Sequence, residues 1–126
     1  MHECLASEPL MAFLATADAA RSRTFYEGKL GLTLVNEDPF ALVYDVNGTP
    51  LRIQRVEKVV VAPYTALGWR VADIARTVRA LVAVGVHFVR YDGLEQDALG
   101  IWLSPSGTKV AWFKDPDGHT LSLSQS

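Results

Sequence analysis

The chain has 126 residues, 49% of them hydrophobic and 21% charged, with 12 Lys and Arg against 14 Asp and Glu. That balance excludes a disordered tail or a polyelectrolyte, and no basic run or aromatic-basic stripe suggests a nucleic-acid partner. The single Cys4 allows neither an internal disulfide nor a thiolate zinc site. The first residues lack the charged and apolar regions of a secretory signal, and no apolar stretch approaches the roughly 18 residues of a spanning helix. A cytoplasmic protein without a membrane partner is expected, forming one domain over residues 1–126.

Taken in chain order, residues 11–16 form a short apolar run that ends near Asp18, whose carboxylate suits a helix N-cap. The helix that follows has Ala19, Ala20, Phe25, Tyr26 and Leu30 as its buried face, and Gly31 stops it. Strands are predicted at 32–36, 40–46 and 50–56, the last two joined by the hairpin signal Asn47-Gly48. The order then recurs. A strand at 67–71 leads to Asp73 and a helix with Ile74, Val78, Leu81 and Val82 at helical spacing, stopped by Gly85. Further strands are predicted at 86–91, 100–103, 109–114 and 120–124. Residues 92–99 read as a loop, and Ser104-Pro105-Ser106-Gly107 as a tight turn.

The recurrence is visible residue by residue. Residues 13–27 align with 68–82 at a displacement of 55, matching Asp18 to Asp73 and Arg21 to Arg76. Residues 47–53 align with 117–123 at a displacement of 70, matching Asn47-Gly48 to Asp117-Gly118. Two matches in the same order indicate two copies of one module. The fold expected is α+β: two βαβββ modules, one over about 10–56 and the other over about 64–124, forming a cupped mixed sheet.

The run from Asp18 to Leu32, with Phe25-Tyr26 and Leu30-Gly31-Leu32, and the closing stretch Phe113-Lys114-Asp115-Pro116-Asp117-Gly118-His119 resemble the vicinal-oxygen-chelate superfamily. That superfamily includes glyoxalase I, bleomycin-resistance proteins and extradiol dioxygenases. Gly100-Ile101-Trp102 ahead of Ala111-Trp112-Phe113 is most similar to its short glyoxalase-like members. The resemblance implies a divalent metal held by His, Gln or Glu at four symmetry-related strand positions. Here those positions carry Met11, Arg52, Ala66 and Ser122. None supplies an imidazole or carboxylate, and a guanidinium repels a cation. No metal and no cofactor are therefore expected.

Alternation from those positions puts Met11, Phe13, Ala15, Arg52, Gln54, Ala66, Gly68, Arg70, Thr120, Ser122 and Ser124 on the cup side. The other side carries Leu14, Leu51, Ile53, Leu67, Trp69, Val71, Leu121 and Leu123 and should pack beneath the helices. Phe13, Arg52, Gln54, Arg70 and Ser122 are the candidate ligand-binding residues. Two arginines with small neighbours suit a carboxylate or phosphate, although alternating polar residues on a strand also suit a solvated face. Tyr44, Trp102 and Trp112 can supply stacking walls for a flat ligand, or packing. His119 and His87 read as turn and peripheral residues, or in the enzyme reading as ligands of a displaced metal site, and His2, Glu3 and Cys4 as a place for a stray metal. Asp115 and Asp117 read as turn formers.

Three functions fit. The first is a metal-independent binder, of bleomycin-resistance type, that sequesters an anionic or aromatic small molecule. The second is a lyase, isomerase or dioxygenase with a displaced metal site or none. The third is an interaction module. A homodimer is expected in each, because cupped open sheets leave edges that favour pairing.

Overall fold

The computed structural model describes residues 4–126, so the predicted stray-metal residues His2 and Glu3 lie outside the described residues. Module one runs β1 (Ala12–Thr16), α1 (Ala19–Arg23), β2 (Thr33–Glu37), β3 (Ala41–Val46) and β4 (Thr49–Arg55). Module two runs β5 (Thr65–Arg70), α2 (Ile74–Ala83), β6 (Trp102–Leu103), β7 (Lys109–Lys114) and β8 (Thr120–Gln125). Each module makes a four-stranded mixed sheet, in the orders β1-β4-β3-β2 and β5-β8-β7-β6. In both, the first strand pairs with the last in parallel and the rest pair antiparallel. The α+β fold of two βαβββ-like modules is as the repeat predicts.

The local chemistry explains the boundaries. Asp18 and Asp73 each accept a hydrogen bond from an N–H three residues on, at 3.2 and 3.1 Å, which caps both helices. Asn47 and Gly48 turn the β3–β4 hairpin with φ of 48° and 90°, the pairing a two-residue turn requires. After α1 the chain widens into a π-helical turn over Thr24–Lys29, and Phe25 and Tyr26 both enter the core from it. The inner faces of both sheets and the helices share one core. It includes Leu14, Leu42, Leu51, Ile53, Ile74, Val78, Phe113, Leu121 and Leu123, and each large apolar side chain so buried contributes about 1.5–3 kcal/mol. Leu67, Trp69 and Val71 pack against its edge.

Three expectations are corrected. The strand at 86–91 does not form: one bridge joins Phe88 to Phe113. The Gln96 amide instead binds the backbone groups of Val89 and Tyr91 at 2.9 and 2.8 Å, occupying positions a neighbouring strand would use. Gln96 also holds the Gly100 carbonyl and Asp97 the Ile101 N–H, leaving β6 only two residues long. On the helices, Val82 is 52% exposed and Ala20 is also exposed. Ser22, in contrast, is fully buried because it faces the other module.

Candidate functional site

Strand register places the candidate residues on the faces turned away from the core, since directly paired residues share a face. In module one, Arg52 on β4 sits between Phe13 on β1 and Val43 on β3, and Gln54 sits between Ala15 and Ala41. In module two, Ser122 on β8 sits between Gly68 and Trp112, and Ser124 between Arg70 and Val110. Trp102 pairs with Val110. Both tryptophans therefore share the face of Ser122 and Arg70, a siding that alternation alone leaves open because it depends on the β7–β8 register.

This face is open. Phe13 is 54% exposed and Met11 46%, Gln54 and Arg70 are exposed, and Arg52, Ser122 and Trp112 are half-buried. Among the described residues, no hydrogen bond or ion pair within the chain engages the side chains of Arg52, Gln54, Arg70, Ser122 or Ser124. Arg52 does contribute, together with Arg55, to holding the Asp38 carboxyl below its usual range; the larger cause is the pair of N–H bonds from Phe40 and Ala41. Arg52 and Arg70 lie on different sheets. Arg70 lines a separate cleft of about 370 Å³ between the β1 and β5 edges. Gly68 leaves room for its neighbour: a Cβ there would meet the Ser122 hydroxyl at 2.7 Å.

The aromatic part of the face was only partly legible in the sequence. Trp112 packs on Tyr91 edge to face, with ring centroids 5.3 Å apart, and on Trp102 at 6.0 Å. Tyr91 joins this group through the irregular segment that replaces the predicted strand. Tyr44, a sequence candidate for the same role, is fully buried and donates its hydroxyl to Glu27 at 2.9 Å. It belongs to the core because β3 pairs it with Leu51 on the inner side.

The four positions at which the resemblance implies metal ligands do not fit a metal here. Met11, Arg52, Ala66 and Ser122 offer a thioether, a cation, a methyl and a hydroxyl, and Ala66 falls at a bulge between Thr65 and Leu67. Among the described residues, no group of three or more His, Cys, Asp and Glu side chains is placed to hold a metal ion.

His119 is not the turn or surface residue that the sequence suggests: it is 6% exposed, and its Nε2 lies 2.7 Å from the Ala15 carbonyl oxygen. It forms part of a polar seam between the modules. The Asp115 carboxylate accepts from the Tyr26 hydroxyl at 2.6 Å and from the N–H groups of Asp117 and His119 at 3.0 and 2.9 Å. Asp117 accepts from the Thr16 hydroxyl at 2.6 Å and the Ala17 N–H at 3.0 Å. Ser22 completes the group, donating to the Thr16 oxygen at 2.8 Å. These two aspartates do form the turn, and they also tie module two to module one. Burial pushes the Asp115 carboxyl up, against the hydrogen bond from Tyr26 and the charge of His119. Burial, followed by the charge of Asp115, raises the Tyr26 phenol.

The family model for the Glyoxalase/Bleomycin resistance protein/Dioxygenase superfamily matches residues 9–123, nearly the whole chain. The chain belongs to that superfamily. Among solved structures it is similar to a superfamily member from Sphaerobacter thermophilus, with TM-score 0.73 and 22% identity, covering 95% of this chain and 98% of that one. A glyoxalase family protein from Enterococcus faecalis gives 0.73 and 19%, covering 95% and 99%. Lactoylglutathione lyase from Agrobacterium tumefaciens gives 0.72 and 15%, covering 94% of each chain. At these identities the likeness is one of fold. No curated protein matches the sequence. No helix among the described residues is long and apolar enough to cross a membrane.

Proposed function

We propose that the chain is a single-domain, cytoplasmic small-molecule-binding member of its superfamily that works without the usual metal. Its ligand is flat and aromatic or anionic, held on the open face. The observation that carries this reading is the Tyr91–Trp112–Trp102 cluster on the same face as Arg70 and Ser122, whose polar groups are unengaged within the chain. Aromatic rings give contact area at low entropic cost, and a free guanidinium fixes a carboxylate. Arg52, Gln54 and Phe13 form the matching wall on module one.

The ligand-binding unit in this reading is a homodimer. The open face leaves Phe13 exposed, and Val35 and Phe40 near the other end of the module-one sheet are 59% and 72% exposed. A second copy that covers such surface buries it from water. Analytical ultracentrifugation tests this part directly.

Intrinsic tryptophan fluorescence, titrated with a panel of planar carboxylates, tests the binding itself. Quenching that saturates in the native protein and disappears in Trp112→Ala, with the circular dichroism spectrum kept, is the expected result. A panel without saturable quenching would sink the reading. Elemental analysis of protein never exposed to chelator is the companion measurement: near-stoichiometric metal would overturn the metal-independent part. His119, with its Nε2 at the Ala15 carbonyl, is poorly placed to anchor a displaced metal site.

A further inference from the structure

The two modules are related by the sequence repeat, so each contact across the seam has a counterpart at its other end. At the end described above, the contact is a dense polar lock. The displacements of 55 and 70 residues map that lock onto the other end, where a hydroxyl at Thr77 and a carboxylate at Asp45 remain but the bonds across the seam have no equivalent. Asp117 becomes Asn47 and its partner Thr16 becomes Val71, so the carboxylate–hydroxyl bond has no equivalent. Tyr26 becomes Leu81, which leaves Asp45, the counterpart of Asp115, without a phenol to bind. His119 becomes Thr49, which is shorter by most of an imidazole ring, and Ala15 becomes Arg70.

The structure shows the consequence. Where His119 and Asp117 close the locked end, the other end holds a cleft of about 370 Å³. Its walls are apolar, with Ala12, Leu51, Leu67 and Trp69 among them, and its polar lining is Asn47, Thr49 and Arg70. That volume lies within the range of small-molecule sites. Among the described residues, the Arg70 guanidinium has no carboxylate within ion-pair distance.

We propose that this unlocked end of the seam is a second ligand site, separate from the open face. It takes a small molecule with a compact apolar body and one carboxylate. The body packs on Leu51, Leu67 and Trp69, and the carboxylate meets Arg70, with Asn47 and Thr49 at hand for its remaining lone pairs. The proposal does not rest on the open-face reading: the cleft shares Gly68 and Arg70 with that face, but its apolar walls are inner-face side chains, its remaining polar lining comes from the β3–β4 hairpin, and Trp102 and Trp112 take no part in it.

Octanoate is the probe, and octanamide is the uncharged control. In a two-dimensional amide spectrum, octanoate is expected to shift the Asn47 and Gly68 amides and the Trp69 indole N–H, leaving the Trp102 and Trp112 indoles in place. A ligand of this size binds with a Kd on the order of 0.1–1 mM. Octanamide should bind about tenfold more weakly, as should octanoate to Arg70→Gln, the strength expected of one charge-assisted contact. Ala12→Phe fills the cleft and should abolish binding. If Ala12→Phe does not fold, Arg70→Gln, at an exposed position, carries the test. The proposal is overturned by an absence of shifts, by shifts centred on Trp102 and Trp112, or by unchanged octanoate affinity in either variant.

Discussion

The polar seam and the open face both carry polar side chains and treat them in opposite ways. In the seam, Asp115 receives three donors within 3.0 Å, and Asp117 joins Thr16 and Ala17 from the other module. On the face, the side chains of Arg52, Gln54, Arg70 and Ser122 make no hydrogen bond or ion pair within the chain among the described residues. A buried carboxylate is tolerated only when its hydrogen bonds are made, so the seam is bound to be complete. A residue left in water meets no such requirement and stays free for a ligand. The lesson is that polar residues in this fold divide by burial: the paired ones hold the modules together, and the unpaired ones are those the proposed binding face relies on.

The comparison predicts large effects behind the sheets and small ones in front. Asp115→Ala leaves the Tyr26 hydroxyl and two N–H groups without their acceptor, and should cost about 3 kcal/mol, lowering Tm by on the order of 10 °C in calorimetry. A loss below about 1 kcal/mol would show that the seam is not the restraint its geometry suggests.

The same carboxylate has a pH signature. Its folded pKa is raised, so its contribution is fully present below the unfolded value near 4 and is lost as pH rises through the folded value. The half-buried carboxyls of Glu27, held down first by Arg23, and Asp38, held down first by the Phe40 N–H, act with the opposite sign and lose stability as pH falls. Urea titrations of the native protein and Asp115→Asn should therefore diverge through the acidic range, with the native protein gaining relative stability as pH drops. Parallel curves would mean that Tyr26, Asp117 and His119 already compensate the burial.

Smaller effects are expected where the face meets the backbone. Gly68→Ala puts a Cβ 2.7 Å from the Ser122 hydroxyl, a strain that a serine rotation partly relieves, and should cost about 1 kcal/mol. Ser122→Gly in the same chain should recover most of that cost, a coupling that a double-mutant cycle reads directly. Smallest of all, Arg52→Ala and Gln54→Ala should each change stability by no more than about 0.5 kcal/mol. A larger loss in either would place that residue among the structural groups rather than the binding ones.

Much of this was legible in the chain itself. The repeat, the two aspartate caps, the Asn47-Gly48 turn and the strand alternation are local patterns, governed by the period of a helix or strand and by what a turn tolerates. They define two βαβββ modules and separate Leu51, Ile53, Leu121 and Leu123 from Arg52, Gln54 and Ser122. That Met11, Arg52, Ala66 and Ser122 carry no imidazole or carboxylate was equally visible, because side-chain chemistry needs no coordinates. Tertiary structure decided the rest. Trp102 and Trp112 acquired a side only when β7 paired with β8, and Gln96 dissolved a strand that apolar content favoured. His119, Asp115 and Asp117 became a lock only because the packing of the modules brings Thr16, Ala17 and Tyr26 to them from about 90–100 residues away. Periodicity is written in neighbouring residues, whereas burial and pairing depend on what the far end of the chain brings into contact.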